Sequence, residues 1–182
     1  MECSKILVVG PVGAGKTTAV RTMTKSVMIN TDEVATDMAQ RKKLTTTVAL
    51  DYGVLKGTGA HKVHLYGAPG QERFKFMWDI VSLGTDAVVL LLDNSAPRPF
   101  QDLEFYLNEF GDFSQEGRMV IGITKADVAQ GAPSLSKYEE YLALKNLGIT
   151  VRFVDVREPQ EVIALVDAAL LTVHDDISVA VA

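Results

Sequence analysis

The chain has 182 residues, 47% of them hydrophobic, and its 18 Lys and Arg against 23 Asp and Glu leave a net charge of −5. That length fits one domain, expected to span residues 1–182, and the acidic balance argues against nucleic acid as the main partner, because phosphate backbones need a basic footprint. The single cysteine, Cys3, excludes an intramolecular disulfide framework and fits the reducing cytoplasm, and no run approaches the roughly 18 apolar residues that a membrane span needs.

In chain order, residues 6–9 form a short apolar run ending in Gly10, the pattern of a buried parallel strand. A helix is expected over 15–26. Residues 46–55 and 62–66 read as strands, and the short glycine-rich stretch between them predicts an antiparallel hairpin. A short aromatic helix over 71–81 precedes a strand over 86–92, which contains Ala87-Val88-Val89-Leu90-Leu91-Leu92. Leu103, Leu107 and Phe110 place a helix over 100–113. A strand over 119–123, a helix over 135–146 and a strand over 151–154 follow. Pro159 opens a last helix to about residue 173, with Val162, Leu165, Val166 and Leu170 on one face. Strands alternating with helices predict an α/β sheet covered on both faces, with ligands at the carboxyl ends of the strands. Glu2 and the closing Val-Ala-Val-Ala supply neither a myristoylation glycine nor a prenylation cysteine, so no direct membrane anchor is expected.

After the first strand comes Gly10-Pro11-Val12-Gly13-Ala14-Gly15-Lys16-Thr17, which fits G-x-x-x-x-G-K-[ST]. The glycines let backbone N–H groups turn inward around phosphate oxygens, and the helix that follows adds its positive end. Lys16 is placed to reach the β- and γ-phosphates and the Thr17 hydroxyl to bind Mg²⁺. Residues 10–17, with Thr18 after them, are therefore the expected phosphate-binding set. Kinases, ATPases and GTPases share such a loop, so alone it indicates only a nucleoside triphosphate.

After the fifth strand comes Thr124-Lys125-Ala126-Asp127. An aspartate there accepts two hydrogen bonds from the N–H edge of guanine. Against adenine the carboxylate stays unpaired, a mismatch that discriminates by about 10⁴-fold. The Lys125 stem has the length to lie along the base.

With these boxes in place, the chain resembles the Ras-like small GTPases over nearly its whole length. Thr47-Val48-Ala49-Leu50-Asp51-Tyr52 is similar to the switch I stretch T-I-G-V-D-F of the Rab branch. Thr47 stands where the family has its Mg²⁺-binding threonine, although Thr45 and Thr46 are adjacent alternatives. Gly70-Gln71-Glu72-Arg73-Phe74 matches the switch II stretch G-Q-E-R-F. Thr124-Lys125-Ala126-Asp127 is the N-K-x-D box in the threonine form that the Rho branch uses. Asp155-Val156-Arg157 falls where the family carries S-A-K, with the Val156 N–H placed to meet the guanine carbonyl. The resemblance implies a three-layer P-loop G domain with a mostly parallel six-stranded sheet, one antiparallel strand and helices on both faces. It implies GTP/GDP and Mg²⁺ as ligands and hydrolysis of GTP to GDP and phosphate. Lys16 and the loop amides would then neutralise the phosphates, Thr17 and Thr47 would hold Mg²⁺, Gln71 would orient water, and the Gly70 amide would contact the γ-phosphate.

Three departures stand out. The family's D-x-x-G aspartate is replaced by Gly67, in Gly67-Ala68-Pro69-Gly70. Asp51 is no obvious substitute, lying about 13 Å from Thr47 on an extended strand at roughly 3.3 Å per residue. The segment from Thr17 to Thr47 is longer than in Ras and carries Asp32, Glu33, Asp37, Arg41, Lys42 and Lys43. Thr124 makes fewer hydrogen bonds to the phosphate loop than asparagine. The G-x-P-G-Q-E-R-F form resembles a bacterial and archaeal group that includes the gliding-motility and cell-polarity GTPases, whose members often work with Roadblock-type or longin-like partners. Regulatory or effector proteins are accordingly the expected partners.

No arginine is clearly set as an internal arginine finger. Arg41 and Arg73 are the candidates, so intrinsic hydrolysis should be slow and accelerated by a partner. Phe74, Phe76, Met77 and Trp78 form either core or a docking surface. His61, His64 and His174 lack metal-ligand spacing and read as structural. Two rivals remain: a nucleotide-dependent binding module with little hydrolysis, and a P-loop kinase or ATPase, against which Asp127 argues.

Overall fold

Six strands hydrogen-bond in the order β2-β3-β1-β4-β5-β6: β1 (Cys3–Val9), β2 (Asp51–Lys56), β3 (Lys62–Gly67), β4 (Ala87–Asp93), β5 (Met119–Thr124) and β6 (Thr150–Phe153). All neighbours are parallel except β2, which lies antiparallel to β3 at one edge. The helices are α1 (Lys16–Ser26), α2 (Lys75–Ser82), α3 (Pro99–Glu109), α4 (Gly111–Gln115), α5 (Leu135–Leu144) and α6 (Pro159–Leu170). The computed structural model describes residues 3–26, 50–58, 61–128, 131–174 and 179.

The alternation of side chains along β1 explains the layers. Ile6 and Val8 face one way, into a cluster with Val20 and Met23 of α1 and Val162, Leu165 and Val166 of α6. Leu7 and Val9 face the other way, into a cluster with Trp78 of α2, Leu103 and Leu107 of α3 and Tyr138 of α5. β4 is buried at every position except its last, Asp93. Each leucine buried there contributes about 1.5–3 kcal/mol, so so apolar a strand is stable only with helices on both faces. The three-layer α/β sheet with one antiparallel strand is the architecture the sequence implied.

Local boundaries differ. The expected helix over 100–113 is two helices. Phe110 breaks them with φ −112° and ψ 40°, and its buried ring packs on Trp78 and stacks on Tyr106. Ser114 supports the restart, its hydroxyl donating to Gly111 O at 2.9 Å. The helix expected over 71–81 opens as a 3₁₀ turn, Glu72–Phe74, before α2. β2 begins at Asp51, and residues 46–49 of the expected strand lie outside the described residues. The histidines are structural, as read: His61 and His174 share the Ser4 hydroxyl at 2.9 and 3.0 Å, and His64 Nδ1 pairs with the Tyr52 hydroxyl at 2.8 Å. Among the described residues, no helix is long and apolar enough to cross a membrane.

Candidate functional site

The loop from Gly10 to Gly15 joins the end of β1 to α1. Gly13 and Gly15 take φ 84° and 94°, a region that side chains avoid and glycine enters freely. The first turn of a helix leaves its N–H groups without intrahelical partners. In α1 these belong to Lys16, Thr17 and Thr18, and no acidic side chain in that turn neutralises them. Anions are favoured there. Lys16 is buried, its ammonium donating to Gly10 O at 2.7 Å and Pro11 O at 2.8 Å. Burial lowers its pKa from 10.5 to about 8, partly offset by the negative charge of Asp51.

Asp51 overturns one expectation. The Thr17 hydroxyl donates to Asp51 Oδ2 at 2.5 Å. In the β2–β3 ladder Asp51 pairs with Gly67, and a Cβ placed on Gly67 would lie 3.0 Å from the Cβ of Asp51 and 3.5 Å from its Oδ2. A carboxylate from the neighbouring strand thus stands beside the space that a side chain at position 67 would enter. Cross-strand register, and not the length of chain from Thr47, fixes where Asp51 lies. That register was available: with a short turn pairing Lys56 and Lys62, Asp51 must face Gly67. Thr47, its neighbours Thr45 and Thr46, and the charged stretch containing Arg41 lie outside the described residues.

Switch II leaves the sheet after Ala68, whose N–H donates to Val8 O at 2.9 Å. Gly70 then packs on the phosphate loop. A Cβ there would come within 2.5 Å of Lys16 Nζ and 2.7 Å of Gly10 O, so only glycine fits. Gln71 is exposed at the start of the 3₁₀ turn, its carbonyl accepting from Phe74 N–H at 2.9 Å. Arg73 lies over the Phe74 ring, 4.8 Å from its centroid. The aromatic cluster divides: Trp78 is core at 4% exposure, whereas Phe76 stands 59% exposed.

On the other side of the phosphate loop is a cavity of about 540 Å³, lined by Gly13, Gly15, Thr18, Lys125, Asp127 and Val156 among others. Thr124 is buried, and its hydroxyl is shared between Ala14 O at 3.2 Å and Leu92 O at 3.1 Å. It therefore ties β5 to the phosphate loop with one hydrogen where asparagine would offer two. Lys125 adopts φ 58°, and its ammonium pairs with Asp93 Oδ2 at 2.5 Å. Burial pushes the Asp93 carboxyl up, but the bonds from Lys125 and Ser95 outweigh it and hold the pKa below 3.8.

Val156 packs under the loop, where a Cβ on Gly15 would meet its Cγ2 at 2.8 Å. Arg157 reaches both aspartates on this side of the cavity. Its Nε donates to Asp155 Oδ1 at 2.8 Å, and its Nη2 reaches Asp155 Oδ2 at 2.5 Å and Asp127 Oδ2 at 3.4 Å. The Arg157 hydrogen bonds hold the Asp155 carboxyl down at about 2. Asp155 N–H in turn donates to Glu161 Oε2 at 2.7 Å. The structure thus gathers residues 10–18, Thr124, Lys125, Asp127 and Asp155 to Arg157 at the carboxyl ends of β1, β5 and β6, with Gly70 against Lys16. Sequence reasoning missed Asp93 and Glu161, because nothing in the sequence marks an acid at the end of a strand or in the first turn of a helix as an anchor for a neighbouring loop.

The sequence matches the family described as "Ras of Complex, Roc, domain of DAPkinase" over residues 5–127, more than half of the chain. The chain belongs to this family of Ras-like GTPase domains. The Ras-like domain is 26% identical over 167 residues to the Ras-related protein RabC of Dictyostelium discoideum, covering 82% of this chain and 79% of RabC. It is 30% identical over 116 residues to the Ras-related protein Rab-18 of Lymnaea stagnalis, covering 64% of this chain and 53% of that protein. It is 33% identical over 91 residues to an uncharacterized protein of Methanocaldococcus jannaschii, covering 50% of this chain and 51% of that protein. Each of the last two matches spans about half the length of the relative.

Proposed function

We propose that this chain is a guanine-nucleotide switch that hydrolyses GTP to GDP and phosphate, slowly alone and faster with a protein partner. The observation that carries this reading is the single cavity bounded on one side by the amides of the phosphate loop and on the other by Asp127. A base held at Asp127 places its phosphates over Lys16. In the reaction, a water oxygen bonds to the γ-phosphorus while the bond to the β–γ bridging oxygen breaks. That oxygen leaves on GDP, and the water proton ends on the released phosphate.

Lys16 and the loop amides neutralise the phosphates, and Gln71 orients the water. Thr17 and Thr47, with Asp51 behind Thr17, are the residues that would hold Mg²⁺. When bound, the ion neutralises charge on the phosphate oxygens. With a carboxylate beside Thr17, the glycine at position 67 no longer favours a pure binding module. Gln71 is exposed and, among the described residues, the candidate Arg73 is turned onto Phe74, which supports an arginine worth about 10³–10⁵ in rate coming from a partner. The Gly67-Ala68-Pro69-Gly70-Gln71-Glu72-Arg73-Phe74 form and the archaeal relative support placement with the prokaryotic gliding-motility and cell-polarity group, acting in the cytoplasm with Roadblock-type or longin-like partners.

The test is binding of Mg²⁺·GTP, Mg²⁺·GDP and Mg²⁺·ATP to wild type and Asp127→Ala. Guanine-selective binding that disappears in the variant is expected. Equal binding of ATP, or indifference to Asp127, would refute the reading and leave a generic P-loop protein.

A further inference from the structure

The stretch that carries Gly70 and Gln71 lies beyond the sheet. Ala68 makes the last bond to the sheet, to Val8 O, and Pro69 has no N–H to give. The Pro69 carbonyl is instead taken from α2, where the indole Nε1–H of Trp78 donates to it at 2.9 Å. The indole itself is immobilised. Trp78 is buried, with ring centroids 5.5 Å from Tyr106, 5.7 Å from Phe110 and 6.1 Å from Phe105. Filling an apolar pocket needs only the ring. The N–H adds direction, and a buried donor left unpaired is costly, so indole and carbonyl hold each other in place.

The peptide bond turns that contact into aim. The Pro69 carbonyl and the Gly70 N–H belong to one planar trans unit and point in opposite directions. Fixing the carbonyl toward Trp78 fixes the Gly70 N–H away from it. Gly70 is also the residue that rests on Lys16 and Gly10, so the rotation of this one peptide plane sets what the phosphate loop faces.

We propose that Trp78 is a positioning residue for the hydrolytic step, holding the Pro69–Gly70 peptide so that the Gly70 N–H is aimed at the γ-phosphate and Gln71 is carried to the attacking water. This rests on the guanine-switch reading. GDP lacks the γ-phosphate, so binding of GDP does not depend on the indole, whereas GTP binding and hydrolysis do.

The experiment compares wild type, Trp78→Phe and Phe105→Leu in single-turnover GTP hydrolysis and in affinity for GDP and a non-hydrolysable GTP analogue. Trp78→Phe keeps a ring and removes the donor. Phe105→Leu loosens the same aromatic wall and leaves the bond. Trp78→Phe should lower both hydrolysis and analogue affinity by about 3- to 10-fold, the worth of one hydrogen bond, with GDP affinity unchanged. Phe105→Leu should lower hydrolysis and analogue affinity less than Trp78→Phe does, with GDP affinity unchanged. Trp78→Phe behaving as wild type, weakening GDP equally, or being matched by Phe105→Leu would overturn the proposal. Should Trp78→Phe not fold, the wild-type protein decides, because Trp78 is its one tryptophan: emission must differ between the GDP and GTP-analogue forms, and identical emission would overturn it. Wild type that binds no guanine nucleotide is a different result, refuting the proposed function itself.

Discussion

The two halves of the proposed nucleotide site are built by different means. The base half hangs from residues that directly follow strands: Thr124 closes β5, Lys125 to Asp127 continue it, and Asp155 to Arg157 follow β6. Its charges are tied where strands end, Lys125 to Asp93 at the end of β4 and Arg157 to Asp155 beyond β6. The γ-phosphate half is assembled across the chain. Its carboxylate comes from an antiparallel edge strand, its glycine is wedged against a lysine 54 residues earlier in sequence, and its loop is held by an indole from the next helix. A half built on consecutive residues yields to a motif search, and a half built on register and close approach does not.

Four substitutions or conditions separate the halves. Asp127→Ala strikes the base half, and guanine-over-adenine selectivity should fall by about 10⁴-fold, read from GDP and ADP dissociation constants, with the fold intact by thermal melting. Gly70→Ala strikes the other half. Its methyl would overlap Lys16 Nζ and Gly10 O, and displacing the loop by about 1 Å should cost about 10²-fold in single-turnover hydrolysis while base selectivity stays as in wild type. Loss of selectivity in Gly70→Ala would show that the halves are not separable. Asp51→Ala removes the carboxylate beside Thr17, and the Mg²⁺ concentration giving half-maximal retention of nucleotide should rise about 10- to 100-fold.

The smallest effect is on pH. Nucleotide phosphates favour the charged form of Lys16, whose pKa in the free protein is about 8. Binding is then insensitive to this group below pH 8, where it is already protonated. Above pH 8 binding must take up a proton, so affinity falls by up to about tenfold per unit until the raised pKa of the complex is reached. GDP titrations between pH 7 and 9 check the sign, and affinity that rises with pH would contradict it.

Most of the sheet was legible because its strands are short and continuously apolar; Val88 to Leu92 has no other reading than a strand buried on both faces. The phosphate loop and the Thr124 box were legible because their spacing is dictated by a ligand of fixed shape. The break at Phe110 was hidden, since Leu103, Leu107 and Phe110 keep helical spacing through it. What ends the helix is a distant partner, the ring of Trp78, with Gly111 following. The orientation of Trp78 was undecidable from sequence for a related reason: Phe76 and Trp78 are both aromatic, and only packing against α3 sends one inward and the other to the surface. The place of Asp51 was hidden in distance along β2, because the sheet brings partners together across strands.

The cross-strand carboxylate is therefore the claim to test most directly, by moving it. Mg²⁺ titrations of nucleotide retention would compare wild type, Asp51→Gly and the swapped Asp51→Gly, Gly67→Asp protein. Asp51→Gly should raise the Mg²⁺ midpoint and the swap should bring it back, because both positions deliver a carboxylate to the same space beside Thr17. An unchanged Mg²⁺ midpoint in Asp51→Gly would contradict it.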